Sequence, residues 1–305
     1  MHRKLAYHPC SVLQCSETSG LVPDILISHG STRDFFGDSM TSYSYKTIQQ
    51  AYGTAEQQQF GVLYLPQQTT TSNPLPTVVL IHGGFWRNFY GLSLMEKPSE
   101  DLVQRGYAVW NIEYRRVGEE GGGWPGTLQD VGNALDYLTT LATRYPLDLQ
   151  RVITVGSSAG GHLSLWSAAR QRIPSDSILA AKNPLKLKGA ISLAGAVDLE
   201  HTWQLQSGNN AAGDFIGGDP MTYPARYAVA SPAALLPLGV PQVLVHGTAD
   251  DVVPLIISQN YVAKAQAAGD NATLIEVPGA DHNLIDTAAP NWTEITLNAI
   301  QQLLA

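Results

Sequence analysis

Charge is scarce in this chain. Asp, Glu, Lys and Arg make up 14% of 305 residues, with 26 acidic against 18 basic, a formal charge of -8. No cluster of Lys or Arg occurs, which argues against a nucleic-acid backbone or an anionic membrane surface as partner. Cysteine is scarcer still: Cys10 and Cys15 are the only two. Their spacing, with no second pair, suits neither a zinc site nor a thioredoxin-like motif, so they read as free thiols. Long apolar runs are missing as well, with none near the roughly 18 residues of a membrane span. The opening stretch MHRKLAYHPCSVLQCSETSG lacks the continuous apolar segment of a secretory signal. A cytoplasmic location is therefore expected, and the sequons at Asn271 and Asn291 would matter only in a secreted protein. No His-Glu-x-x-His cluster, G-x-G-x-x-G turn or P-loop is present, so no metal or cofactor is expected.

What remains is an ordinary globular composition, 44% hydrophobic with 28 glycines. Residues 1–55 are polar and without a clear period, and read as an N-terminal arm or lid before a single domain over 56–305. The stretch QQQFGVLYLP alternates apolar residues at Phe60, Val62 and Tyr64, as a strand exposed on one face does. From Thr77 the pattern changes to short continuous apolar runs: TVVLIHGG, YAVWNIEY, RVITVG, GAISLAG and PQVLVHG. Such runs predict strands covered on both faces, as in a parallel sheet.

Helical spacing lies between most of these runs. Leu128, Val131, Leu135, Leu138 and Leu141 form one apolar stripe over 127–145, and 159–170, 256–268 and 292–304 also read as helices. The alternation predicts an α/β fold, a mostly parallel central sheet with helices on both faces. The segment 199–236, rich in Gly, Pro and aromatics, breaks the rhythm and reads as a small cap-like insertion.

The chemistry centres on VGSSAGGHL. A buried strand precedes GSSAG and a helix follows, the setting in which G-x-S-x-G forms a nucleophile elbow. Glycine spacing selects Ser158 as the nucleophile and leaves Ser157 at the variable position. The pattern alone is weak, and its weight comes from partners in the order this architecture requires. Asp250 follows one later strand in VLVHGTADDVVP, and His282 follows the next in IEVPGADHNL.

His282 would take the proton of Ser158 and return it to the leaving group, while Asp250 fixes the imidazole tautomer. Asp250 is chosen over Asp251 as the first position past the turn. His162 and His246 read as buried structural histidines, and Asp281 as a loop residue. After the strand TVVLI, the glycine turn HGGFWRNFYG offers backbone amides which, with the amide of Ala159, would form an oxyanion hole.

These motifs resemble the α/β-hydrolase superfamily, and more narrowly the bacterial carboxylesterases and kynurenine formamidase-like enzymes. The resemblance runs from about Phe60 to the C-terminus and rests on HGGFW, GSSAGGHL, HGTADDVVP and GADHNL. It implies that the first two oxyanion amides belong to Gly84 and Phe85, and that Ser158, Asp250 and His282 form the triad. Prolyl-oligopeptidase-like peptidases are also similar, but carry a large propeller domain for which this chain has no room.

The expected activity is hydrolysis of small carboxylic esters through an acyl-enzyme. An arylformamidase is the alternative, and a non-catalytic binding protein the minor one. Phe85, Trp86, Trp124, Trp203 and Tyr223 fall in loops suited to lining a substrate pocket. The expected partner is a small ester or amide, with the protein a monomer or homodimer.

Overall fold

The computed structural model describes residues 27–29, 42–55, 57–69 and 73–305. Cys10, Cys15 and most of the segment read as an arm lie outside them. The strands are β1 (Ile27–His29), β2 (Tyr45–Ala51), β3 (Phe60–Pro66), β4 (Leu75–Ile81) and β5 (Ala108–Ile112), then β6 (Leu147–Ser157), β7 (Gly189–Leu193), β8 (Gln242–Gly247) and β9 (Ala272–Val277). Among the described residues they form one nine-stranded sheet in the order β1-β2-β3-β5-β4-β6-β7-β8-β9. From β5 through β4 to β9 all pairs are parallel, whereas β1, β2, β3 and β5 pair antiparallel.

The helices are α1 (Glu96–Gln104), α2 (Gly126–Asp136), α3 (Leu138–Leu141), α4 (Ala159–Ala169), α5 (Leu199–Gln204), α6 (Ser207–Ile216), α7 (Pro224–Ala230), α8 (Ile256–Ala267) and α9 (Leu297–Leu304). Strand side chains point alternately to the two faces, and the core divides accordingly. Val79, Ile81, Trp110, Ile112 and Leu244 pack with α2, α4 and α8. Val78, Leu80, Val109, Ile153, Val155 and Val245 pack with α1 and α9 on the other side. The fold is thus the expected α/β hydrolase, with helices on both faces. No described helix is long and apolar enough to cross a membrane.

Three expectations change. The segment 1–55, read as an arm or lid, supplies β2, which pairs with β3 along its whole length. Nor is β3 a strand exposed on one face. It lies between β2 and β5, with Leu63 and Leu65 buried on one side and Tyr64 on the other. The segment 199–236, read as a cap-like insertion, folds into α5, α6 and α7, and none of its residues lines the cavity beside Ser158. Arg87, beyond β4, ties this segment to the sheet by donating to the carbonyls of Gly208 and Asn209 and to Asp214.

Candidate active site

Four functional segments leave the carboxyl ends of the parallel strands β4, β6, β8 and β9, where a doubly wound sheet collects its functional groups. The turn after β6 is the tightest. Ser158 sits at φ 57°, ψ -120°, outside ordinary right-handed space, and α4 starts at the next residue. Such strain is held only by surroundings that over-determine it. Here a Cβ on Gly156 would lie 2.0 Å from the Gly160 carbonyl oxygen, and one on Gly160 2.1 Å from that of Ile81. No side chain fits either position. Ser158 N–H donates to Leu193 O at 2.8 Å, so the elbow is anchored to β7.

His282 is fixed from behind. Its Nδ1 donates to Asp250 Oδ2 at 2.8 Å, with the Asp250 side chain fully buried. That bond leaves Nε2 as the free acceptor of the ring. Asp250 Oδ1 accepts the amides of Val252 and Val253, both at 2.9 Å. Burial by itself would raise this carboxyl. Hydrogen bonds from His246, His282 and the Val253 amide outweigh that and hold it well below the usual carboxylate range. His246 is the partner the sequence did not disclose: its Nε2 lies 3.2 Å from Asp250 Oδ2 and 2.8 Å from Val253 O. Ser258 Oγ meets the other ring nitrogen at 2.8 Å. His246 is buried, as expected, but it braces Asp250 as well as filling space.

The loop after β4 is the third component. Gly84, Phe85 and Trp86 take positive φ in succession, at 109°, 56° and 56°, which turns consecutive amides away from the sheet. Gly83 packs against Ser157 and Ser158, placing this loop beside the elbow. Ala159 opens α4, where helical amides have no acceptor within the helix and face the positive end of its dipole.

A buried network underlies the loop. His82 Nδ1 lies 2.8 Å from Gly83 O and its Nε2 2.8 Å from Glu113 Oε1, and its ring stacks on Tyr114. Glu113 Oε2 accepts the amide of Leu92 at 2.9 Å. Burial would raise Glu113, but the hydrogen bond and charge of His82, together with Arg116 and the Leu92 amide, lower it instead.

The turn at Ser158, His282 and the loop after β4 meet in one cavity of about 430 Å³. Ser157, Ser158, Gly84, Phe85 and His282 line it, together with Tyr90, Leu94, Asp251, Val252, Asp281, Asn283 and Ile285. Of the aromatics proposed for the pocket, Phe85 alone lines it. Trp86 is buried beneath the loop, stacked on Phe215, with its indole donating to His162 Nδ1 at 3.2 Å. Trp124 and Tyr223 flank the Arg226 guanidinium at 5.7 and 4.0 Å, and Trp203 packs against the core. None of the lining residues comes from 199–236, so the insertion buttresses the oxyanion loop from behind and does not cover the cavity. Loop membership was readable in sequence, whereas side-chain direction depends on the left-handed residues 84–86. Tyr90, Leu94, Val252 and Ile285 were missed, although each lies in the same loops as a residue already chosen.

Comparison with known proteins adds lineage. The family model BD-FAE matches residues 62–264. Esterase LipC of Mycobacterium tuberculosis is 24% identical over 71% of this chain and 55% of its own length. An isoprenylcysteine alpha-carbonyl methylesterase of Arabidopsis thaliana is 25% identical over 72% of the chain and 52% of its own length. The chain thus spans about half the length of these relatives. Among solved structures, esterase B from Lactobacillus rhamnosis superposes with a TM-score of 0.72 at 21% identity, covering 84% of this chain and 85% of that one. A truncated carbohydrate esterase from gut microbiota gives 0.69 at 22% identity, covering 87% and 98%.

Proposed function

The chain belongs to the BD-FAE family, and from that premise we propose that it is a cofactor-free serine hydrolase cleaving carboxylic esters through an acyl-enzyme. Ser158 is the nucleophile, His282 the general base and acid, and Asp250 the residue that orients the imidazole and stabilises the imidazolium. Nε2 of His282 takes the Ser158 proton as Oγ bonds to the ester carbonyl carbon. The amides of Gly84, Phe85 and Ala159 hold the resulting oxyanion. When the tetrahedral intermediate collapses, its C–O bond to the alcohol breaks and His282 returns the proton to the departing oxygen. Water, deprotonated by the same histidine, then cleaves the acyl-enzyme to a carboxylic acid and free Ser158.

The observation that carries the reading is the 2.8 Å bond from His282 to a buried, doubly anchored Asp250, in the cavity that also holds the strained Ser158. The relatives named above are esterases, which favours esters over formamides.

A fluorophosphonate should label the protein at Ser158. Ser158→Ala should lose labelling and lower kcat on p-nitrophenyl butyrate by about 10⁵-fold or more. Ser157→Ala should retain both, since Ser157 ends β6 and it is Ser158 that holds the strained position at the turn into α4. A labelled Ser158→Ala protein would refute the assignment.

A further inference from the structure

Among the described residues the cavity carries carboxylates without a matching cation: Asp251 and Asp281 line it beside Ser158 and His282, and no described Lys or Arg does. Arg87 in the loop after β4, and Arg116, which donates to the carbonyl of Tyr90 behind the cavity wall, are both engaged by acids of their own. Arg87 is held by Asp214 at 2.6 Å and by two carbonyls. Arg116 pairs with Glu119 at 2.8 Å and lies 3.4 Å from Glu113. Asp281 is itself fixed, accepting the Asn283 amide at 2.9 Å. The remaining wall is largely apolar, from Phe85, Tyr90, Leu94, Val252 and Ile285, with Asn283 and Ser157 as its uncharged polar members. Low-dielectric walls confine the field of neighbouring charges and extend its reach into a cleft.

Resting on the hydrolase reading above, we propose that this site selects uncharged or cationic esters and rejects anionic ones, with Asp251 and Asp281 as the determinants. An anionic substrate must bring its charge toward two carboxylates and then develop a second negative charge at the oxyanion. A neutral substrate meets only the apolar wall, and a cationic group is drawn to the two acids.

The test uses three acyl groups of equal length on one leaving group: methyl p-nitrophenyl adipate, mono-p-nitrophenyl adipate, and p-nitrophenyl 6-(trimethylammonio)hexanoate. At low ionic strength kcat/KM for the monoanion should fall about tenfold or more below that of the methyl diester, a gap set by Coulomb repulsion at close range. The cation should equal or exceed the diester. High salt should narrow the gap, since the carboxylates face solvent, and Asp251→Asn with Asp281→Asn should narrow it at low salt. A steric filter would do neither. Equal kcat/KM for diester and monoanion, or a gap indifferent to both salt and the double substitution, overturns the proposal while leaving the hydrolase reading intact. If no ester is turned over and a neutral fluorophosphonate leaves Ser158 unlabelled, the hydrolase reading itself fails and the selectivity goes with it.

Discussion

At the scale of single residues, two buried histidines show how differently one residue type is used. His246 Nε2 lies 2.8 Å from Val253 O and 3.2 Å from Asp250 Oδ2, the same oxygen that receives His282, and its ring is oriented by Ser258. Its role is positioning: it keeps Asp250 aimed, and Asp250 keeps His282 aimed. A hydrogen bond to a charged group contributes about 1.5–3 kcal/mol, so His246→Leu should lower kcat by roughly ten- to hundredfold. KM should change little, because His246 does not line the cavity. His246→Gln, which keeps an N–H donor, should recover part of the loss. Steady-state kinetics on p-nitrophenyl butyrate decide the matter, and a Leu variant with wild-type kcat would return His246 to a packing role.

His162 takes no part in this chain of bonds. Trp86 donates to its Nδ1 and its Nε2 donates to Ala230 O at 2.8 Å, an arrangement that fits only the neutral ring. Burial lowers its pKa from 6.5 to about 4. Between those values the unfolded chain binds a proton that the folded chain refuses. The stability contribution is therefore complete above pH 6.5 and declines as pH falls toward 4, by about 3 kcal/mol. The depressed carboxyl of Asp250 acts in a lower window. Its contribution is present above the ordinary Asp value and is lost only in stronger acid. Urea midpoints at pH 7 and pH 4.5 should differ accordingly, and the difference should shrink in His162→Gln.

At the scale of elements, legibility followed burial. The strands β4 to β8 announced themselves because both faces are covered, which forces continuous Val, Ile and Leu runs. The strand β2, YKTIQQA, gave no such signal: only Tyr45 and Ile48 are buried, three residues apart, and the rest are Thr, Gln, Lys and Ala. In α6 the left-handed Gly208, Asn209 and Asn210 interrupt helical periodicity, so the sequence showed an insertion but not its helices.

The glycine loop after β4, to which the proposed mechanism gives the oxyanion, was legible as a motif, but its support was not. Glu113 lies 31 residues from His82 and joins it only through the parallel pairing of β4 with β5. Glu113→Ala would leave His82 Nε2 and the Leu92 amide without their acceptor in a buried place, a loss of about 3 kcal/mol or more. Both the unfolding midpoint and kcat should fall, because the amides of Gly84 and Phe85 lose the scaffold beneath them. Glu113→Gln, which keeps one acceptor oxygen, should be milder in both. An Ala variant that loses stability at full kcat would mean that the network carries fold and not oxyanion geometry.

At the scale of the molecule, the question is where the α/β domain begins. Composition places the boundary near residue 56, since no period is visible before it. Sheet pairing places it earlier: β2 covers the whole of β3, and Tyr52 reaches across to donate to Glu113 O at 2.6 Å. A chain beginning at residue 56 would turn β3 into an edge strand with its backbone unpaired, an invitation to intermolecular pairing. It would also strip cover from Leu63 and Leu65, and forfeit the burial of Tyr45 and Ile48. At about 1.5–3 kcal/mol for each large side chain, with the ladder bonds in addition, the loss is about 5 kcal/mol or more. That is comparable with the whole stability of an ordinary domain, about 5–15 kcal/mol. The chain 56–305 should therefore express insolubly or unfold at far lower urea than the full chain, and should lose fluorophosphonate labelling with its fold. If it remained soluble with an unchanged midpoint, residues 1–55 would be the detachable arm that their composition suggests.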